Sequence, residues 1–443
     1  MSASTPGTGI TLVAHASVLV DAGPVCVWTD PWLSGTAFND SWDLLAPAVL
    51  PEGALDRVTH LWISHEHADH FHVATLRALP DELKGRVRVL LRAGDAAKLA
   101  SALGRLGFAD VCSIPHRGRV PLGDGVTAYS YEVGQMDTCL AVEHAGRVVV
   151  DVNDAELSDP DRRLLRADLG RCDVLLDQFS LAGYGGHPDR ADRLAAQASR
   201  VLDTVVRDHE GLDAAVTVPI ASYVYFCTED NRYVNEHANR PSDVARVLAD
   251  RGHTSVVLVP GERYEVGAEH DSSQALAWWD ERYDALDDLP YRRVAPVPLA
   301  DVEAGFDWRC DQLRTVLPEL VVRRLGPVVA HLPDRDETIR FDVGRRTFER
   351  LEGRPPPDLT VDSQPLAFAL GQPFGVQTLG VSARATVAPG NRSWRRHRIA
   401  CAVAHSGLDL RLHRLACAGN RRLVRPRLRG GLTQVREQLR RNA

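Results

Sequence analysis

The sequence predicts a layered α/β sandwich followed by a smaller α+β unit. Three observations carry that expectation. Short apolar runs bounded by turn residues come first, helices interrupt them, and strands return near residue 127. Three histidines and an aspartate crowd one turn directly after such a run, where a sheet presents its functional loops. Beyond Gly261 the chain turns acidic and then proline-marked, which sets off a second unit.

The elements follow in order. Ile10 to Val20 is apolar with small residues, Val25 to Thr29 is a strand that ends at an acid, and Val58 to Ile63 ends before the histidine-rich turn. Phe71 to Leu79 and Asp95 to Leu106 have the apolar spacing of helices, with a compact strand at Val87 to Leu91 between them. Thr127 to Asp151 holds two or three strands broken at Gly134 and Gly146. Val174 to Leu176, Ala214 to Val218 and Ser255 to Val259 read as further strands, and Pro188 to Arg207 and Ser242 to Asp250 as helices. Glu269 to Asp288 is acidic and Trp-containing, and Leu289 to Pro298 reads as a boundary. Residues 1–288 are therefore expected to form one unit and 289–443 an accessory α+β unit, with a helix at Asp301 to Arg324 and strands around Ile339 to Val343 and Leu359 to Val361.

Composition excludes several classes. With 443 residues, 44% hydrophobic and 25% charged, the chain has the usage of a globular protein with a sizeable core. No apolar run reaches the roughly 18 residues of a membrane span, and residues 1–9 lack a signal peptide's basic flank and apolar stretch, so a cytoplasmic location without a membrane partner is expected. The eight cysteines, among them Cys112 and Cys417, are scattered without a CxxC pair, so free thiols are expected rather than disulfides or a thiolate metal site. Arg392 to Ala443 carries fourteen arginines against Asp409 and Glu437. Such a segment fits an acidic face of its own protein, an anionic substrate or a partner chain. Nucleic acid is disfavoured, because Trp394 is its sole large aromatic.

The chemistry concentrates at His65, His67, Asp69 and His70. Imidazole and carboxylate suit zinc, iron or manganese, and a tight loop at a strand end can point two ligands at each of two adjacent metals. Asp154 closes another apolar strand after a short turn, where a carboxylate can bridge two cations, and Asp30 ends a third. Carboxylates at Asp137 and Glu132 are the alternatives for a further ligand before Asp154, since Tyr129 to Cys139 contains no histidine. A carboxylate-richer set favours iron or manganese. His187, Glu229, Asp230 and His237 are the candidates from the following stretch, and Tyr223, Tyr225 and Tyr233 are pocket or packing residues.

The HxHxDH pattern of His65, His67, Asp69 and His70 resembles the signature of the metallo-β-lactamase superfamily. That resemblance implies an αββα sandwich holding two metal ions, with His65 and His67 on the first, Asp69 and His70 on the second, Asp154 between them and Asp30 supporting the loop. Thr29-Asp-Pro-Trp-Leu-Ser-Gly-Thr-Ala-Phe38, Gln135-Met-Asp-Thr-Cys139 with Val152-Asn-Asp154, and Pro219-Ile-Ala-Ser-Tyr223 with Asn231-Arg-Tyr-Val-Asn235 are similar to the non-Rieske part of the CMP-N-acetylneuraminate hydroxylase family, over about residues 10 to 260. The paired Cys-x-His and Cys-x-x-His of a Rieske cluster are missing from the sequence. Leu359 to Phe368 and Pro373 to Ser382 resemble sterol-carrier-like α+β domains, for which packing or dimerisation is favoured over lipid transport.

The expected function is a dinuclear-iron oxygenase that hydroxylates a small polar metabolite at C–H or N–H, using O2 and an external electron donor. The alternative is a zinc- or manganese-dependent hydrolase of an ester, lactone, amide or phosphodiester. Asp69 and Asp154 are the catalytic carboxylates in both; a scaffold that merely kept the fold would have no use for the intact set.

Overall fold

The computed structural model describes residues 7–94, 96–134, 136–184, 189–405 and 409–411, Ala96 by its backbone alone. His187, Cys417 and the arginine-rich stretch from residue 412 onward lie outside the described residues.

Two sheets stack face to face. The first has seven strands in the order Arg263–Glu265, Thr8–Ala14, Ser17–Ala22, Val25–Thr29, His60–Trp62, Arg88–Arg92 and Asp110–Ile114. It is antiparallel up to Val25–Thr29 and parallel beyond. The second has six, in the order Ala214–Ile220, Cys172–Gln178, Arg147–Asn153, Asp137–His144, Val126–Val133 and Gly118–Gly123. Side chains alternate across a strand, and the sequence obeys that period. Val18 and Val20 enter the core between the sheets while Leu19 points the other way; Leu140 and Val142 enter it while Cys139 and Ala141 face outward. Both outer faces are apolar and must be covered. Leu76, Leu83, Leu99 and Leu103 cover the first from three helices, and Leu165 and Leu212 cover the second from the helices Asp159–Leu169 and Ala191–Leu212. The result is the expected αββα sandwich.

The remaining chain forms a five-stranded sheet, ordered Thr347–Leu351, Glu337–Asp342, Val328–Leu332, Leu359–Val361 and Ala385–Val387. The helices Leu299–Arg314, Ser363–Gly371, Gly375–Val381 and Arg392–His405 pack on it around a separate core that includes Phe306, Phe341, Leu366 and Trp394. This C-terminal unit rests on the sandwich near the ends of its strands. Asn39 and Gln364 exchange amide hydrogen bonds of 3.1 and 3.0 Å, Arg384 pairs with Asp230 at 2.8 Å, and Tyr233 donates to the Ala383 carbonyl at 3.2 Å.

Several elements differ from the sequence expectation. Ile10 to Val20 is a hairpin that turns at His15 and Ala16 rather than one strand. Val256, Val257 and Leu258 are buried, but within Ser255 to Val259 only Ser255 forms a bridge to another strand; Val257 N–H and Val259 N–H donate to Ser272 Oγ and Glu262 Oε2, so no strand extends there. The helix expected to reach Arg324 ends at Arg314, because Pro318 begins a separate turn at Glu319–Val322. Seven cysteines are free among the described residues, as expected. No helix among them is long and apolar enough to cross a membrane.

Candidate metal centre

Three buried segments meet at one end of the sandwich. The hairpin turn brings His15, the loop after His60–Trp62 brings His65, His67, Asp69 and His70, and the end of Arg147–Asn153 brings Asp154. His15, Asp30 and Asn153 all take left-handed backbone conformations, with φ of 25°, 37° and 59°. Such conformations cost about 1–3 kcal/mol each in residues other than glycine, and they recur where a chain is bent to aim a side chain. Asn153 immediately precedes Asp154, so its bend directs that carboxylate inward.

The side chains form two triads, His15–Asp69–His70 and His65–His67–Asp154, in each of which one ligand atom per residue lies within 4.8 Å of the others. They touch. Asp154 Oδ2 is 3.6 Å from His65 Nε2 and 3.5 Å from His70 Nε2, so one carboxylate oxygen faces both triads. Asp69 Oδ2 lies 3.3 Å from both His15 Nε2 and His70 Nε2.

Asp30 orients the loop from beneath. It is fully buried and accepts from Ser64 N at 2.8 Å, Ser64 Oγ at 2.6 Å, His70 Nδ1 at 2.8 Å and the Asn153 amide. A carboxylate only accepts, so His70 carries its proton on Nδ1 and turns the Nε2 lone pair toward the triads. Ser64 spends its single proton on Asp30. Its oxygen therefore accepts from His65 Nδ1 at 3.0 Å, which leaves His65 Nε2 as a lone pair too.

Burial lowers the pKa of His15 and of His65, and takes His67 down to about 4 with help from its neighbour His65. Burial would raise Asp69 and Asp154, but His70 and His15 hold the first below the usual carboxylate range, and His65 and His70 hold the second there. His70 moves the other way. Burial opposes its charge, yet Asp69, Asp154 and Asp30 together raise it well above an ordinary imidazole, so a cation at the triads would displace a proton to reach the Nε2 lone pair.

The donor set suits cations. Asp69 Oδ1, His70 Nε2 and Asp154 Oδ1 are buried without a hydrogen-bond partner, a costly arrangement for polar atoms. Imidazole and carboxylate lone pairs converging from two triads are what two adjacent divalent ions require.

The expected residues separate clearly. His65, His67, Asp69, His70 and Asp154 come together. Asp137 begins its strand beside them and is pushed up to about 7 by burial and by Asp154, but its carboxylate joins neither triad. Glu132 accepts from Gly94 N at 3.2 Å, away from the cluster, Glu229 and Asp230 pair with Arg232 and Arg384, and His237 belongs to neither triad. Tyr223 and Tyr225 pack in the core between the sheets. His15 is the residue that sequence reasoning missed. Its signal is local: an imidazole set between small residues inside an otherwise apolar, buried hairpin.

Residues 9–176 match the model of the beta-lactamase superfamily domain. Cytidine monophosphate-N-acetylneuraminic acid hydroxylase of Danio rerio is 25% identical over 54% of this chain and 42% of its own length. A Mycolicibacterium smegmatis protein provisionally named a Rieske 2Fe-2S iron–sulfur protein is 30% identical over 57% of this chain and 52% of its own. The chain spans about half the length of the curated relatives it matches. Among solved structures, CmlA, a diiron beta-hydroxylase from Streptomyces venezuelae, aligns over 59% of this chain and 54% of its own at 19% identity and a TM-score of 0.41. Isothiocyanate hydrolase from Delia radicum gut bacteria aligns over 59% of this chain and all of its own at 15% identity and 0.43. Residues 9–176 thus carry the likeness to a beta-lactamase superfamily domain, and they hold most of the αββα sandwich and all six residues of the two triads.

Proposed function

We propose that the chain is a dinuclear-iron oxygenase that hydroxylates a small polar metabolite at a C–H or N–H bond. The observation that carries the reading is the pair of touching triads, with Asp154 Oδ2 facing both. In this reading His65, His67 and Asp154 would hold one ion and His15, Asp69 and His70 the other, with Asp137 as a further carboxylate on the open side. Residues 1–288 form the metal-bearing unit and 289–443 the accessory one. The likeness to a hydroxylase over half the chain supports oxidation over hydrolysis. Two bound irons supply the redox chemistry of oxygen activation.

The residues divide the remaining work. His15, His65, Asp69 and His70 are buried and keep bulk water from the centre. Asp154, His67 and Asp137 are partly exposed, which marks the side from which substrate arrives. Burial and the Asp154 charge push Asp137 up to about 7, so near neutral pH its carboxyl can hold or give up a proton beside the site. Overall, R–H, O2, two electrons and two protons give R–OH and water, the electrons coming from an external donor protein or small reductant.

A hydrolase holding zinc or manganese is the second reading. It rests on the same six residues, since a histidine-rich triad sharing a carboxylate with its neighbour also suits activation of a water molecule. Oxygen uptake separates the two. The reduced, iron-loaded protein should consume O2 while zinc-loaded protein does not; no uptake with iron, alongside ester or phosphodiester cleavage with zinc, would establish the second reading instead.

A further inference from the structure

The loop that carries the site histidines is gripped by the C-terminal unit. Glu66 stands between His65 and His67, yet its carboxylate turns away from both triads. Lys98, on the helix Ala96–Arg105, donates to its Oε2 at 2.6 Å, and His405, the last residue of the helix Arg392–His405, donates to its Oε1 at 2.7 Å. Phe374 closes the arrangement: its ring centroid lies 3.9 Å from that of His405, and the Lys98 ammonium sits 4.1 Å from the same ring. The Glu66 side chain is 8% exposed and that of His405 13%. Two residues on, Ala68 packs in the same apolar cluster as Val381 and Ala383 of the C-terminal unit.

Fixing a residue between two metal ligands fixes the backbone that aims them. Groups hydrogen-bonded directly to metal ligands typically change metal affinity by about 10–100-fold when lost, and a grip that acts through the loop backbone belongs at the lower end of that range. We infer that His405 is a positioning residue for the metal-binding loop, so that the C-terminal unit sets how tightly the centre holds its ions. The inference rests on the dinuclear reading above. It goes beyond that reading by giving the accessory unit a part in the site.

The test uses the full chain and cobalt(II), whose affinity is read by competition with a chelator and whose visible spectrum reports ligand geometry. His405→Ala should weaken cobalt binding about tenfold and shift the spectrum. His405→Gln, with an amide N–H that can still reach Glu66, should recover most of both. Glu66→Gln should match His405→Ala, and the double variant should be no weaker than either single one. Tyr233→Phe, which cuts a hydrogen bond to Ala383 elsewhere on the interface, should stay within about twofold of the parent. Circular dichroism checks that each variant folds; if His405→Ala does not, Glu66→Gln against His405→Gln makes the same comparison. A parent that binds two cobalt ions with His405→Ala and Glu66→Gln unchanged, or no different from Tyr233→Phe, overturns the inference alone. A parent that binds none overturns the dinuclear reading and the inference with it.

Discussion

Asp30 Oδ2 accepts from His70 Nδ1 at 2.8 Å, and the same carboxylate, through Ser64, also fixes the ring of His65. One buried acid thus sets the tautomer of a histidine in each triad. Asp30→Asn replaces an acceptor-only group with one that also donates, and it cannot satisfy all four donors. Metal affinity should fall about 10–100-fold with the fold retained. Chelator competition on folded protein checks this; unchanged affinity would mean that the two rings are oriented by something else.

His15 offers the sharpest test of the second triad. His15→Ala removes the imidazole 3.3 Å from Asp69 Oδ2 and leaves the His65–His67–Asp154 group intact. Elemental analysis should show the metal content dropping from about two ions per chain toward one. Two tightly held ions in the variant would place the second elsewhere.

Metal removal should destabilise the chain. Asp69 and Asp154 both approach His70 Nε2, at 3.3 and 3.5 Å, and bound cations stabilise the folded state by mass action, about 2.7 kcal/mol at a hundredfold excess over Kd. Thermal unfolding before and after chelation measures the difference. A midpoint that does not move with metal concentration would contradict a bound state.

Acid stability has a contribution distant from the metals. Burial, aided by the Arg88 charge, lowers His60 to about 4 from an ordinary 6.5. Between those values the unfolded chain holds more protons than the folded one, so stability falls as pH drops from 6.5 to 4 and no further below that. His60→Gln should therefore lose less stability than the parent between pH 7 and 4.5 in urea titrations. Equal losses in the two proteins would remove His60 from the account.

Gly183 marks the contact between the two units. Its φ is 117°, and a Cβ there would stand 2.7 Å from the Val381 carbonyl oxygen. Gly183→Ala combines a disfavoured backbone with a clash across the interface and should cost about 1–3 kcal/mol in denaturant unfolding. Gly53→Ala, also at positive φ but with open space around its Cβ, should cost less. Equal costs would show that the Val381 contact yields freely.

The sandwich was legible because its strands alternate cleanly: Val18 and Val20 against Leu19, Leu140 and Val142 against Cys139 and Ala141. Five site residues were legible because four crowd one turn and Asp154 ends a buried strand. His15 was not, because one histidine in an apolar run looks like a core residue until the hairpin folds it against Asp69. Asp137 was legible only as a nearby carboxylate, because its distance from the triads is set by the pairing of Asp137 with Val133 at the strand end. The grip of His405 on Glu66 spans 339 residues, and no local pattern announces it.

The central claim is that six residues hold two metals. Crystals of iron-loaded protein, measured for anomalous scattering on either side of the iron edge, test it most directly. The account predicts two peaks about 3.5–4 Å apart, one against His65, His67 and Asp154 and the other against His15, Asp69 and His70. A single peak, or a second one remote from His15 and Asp69, would contradict it.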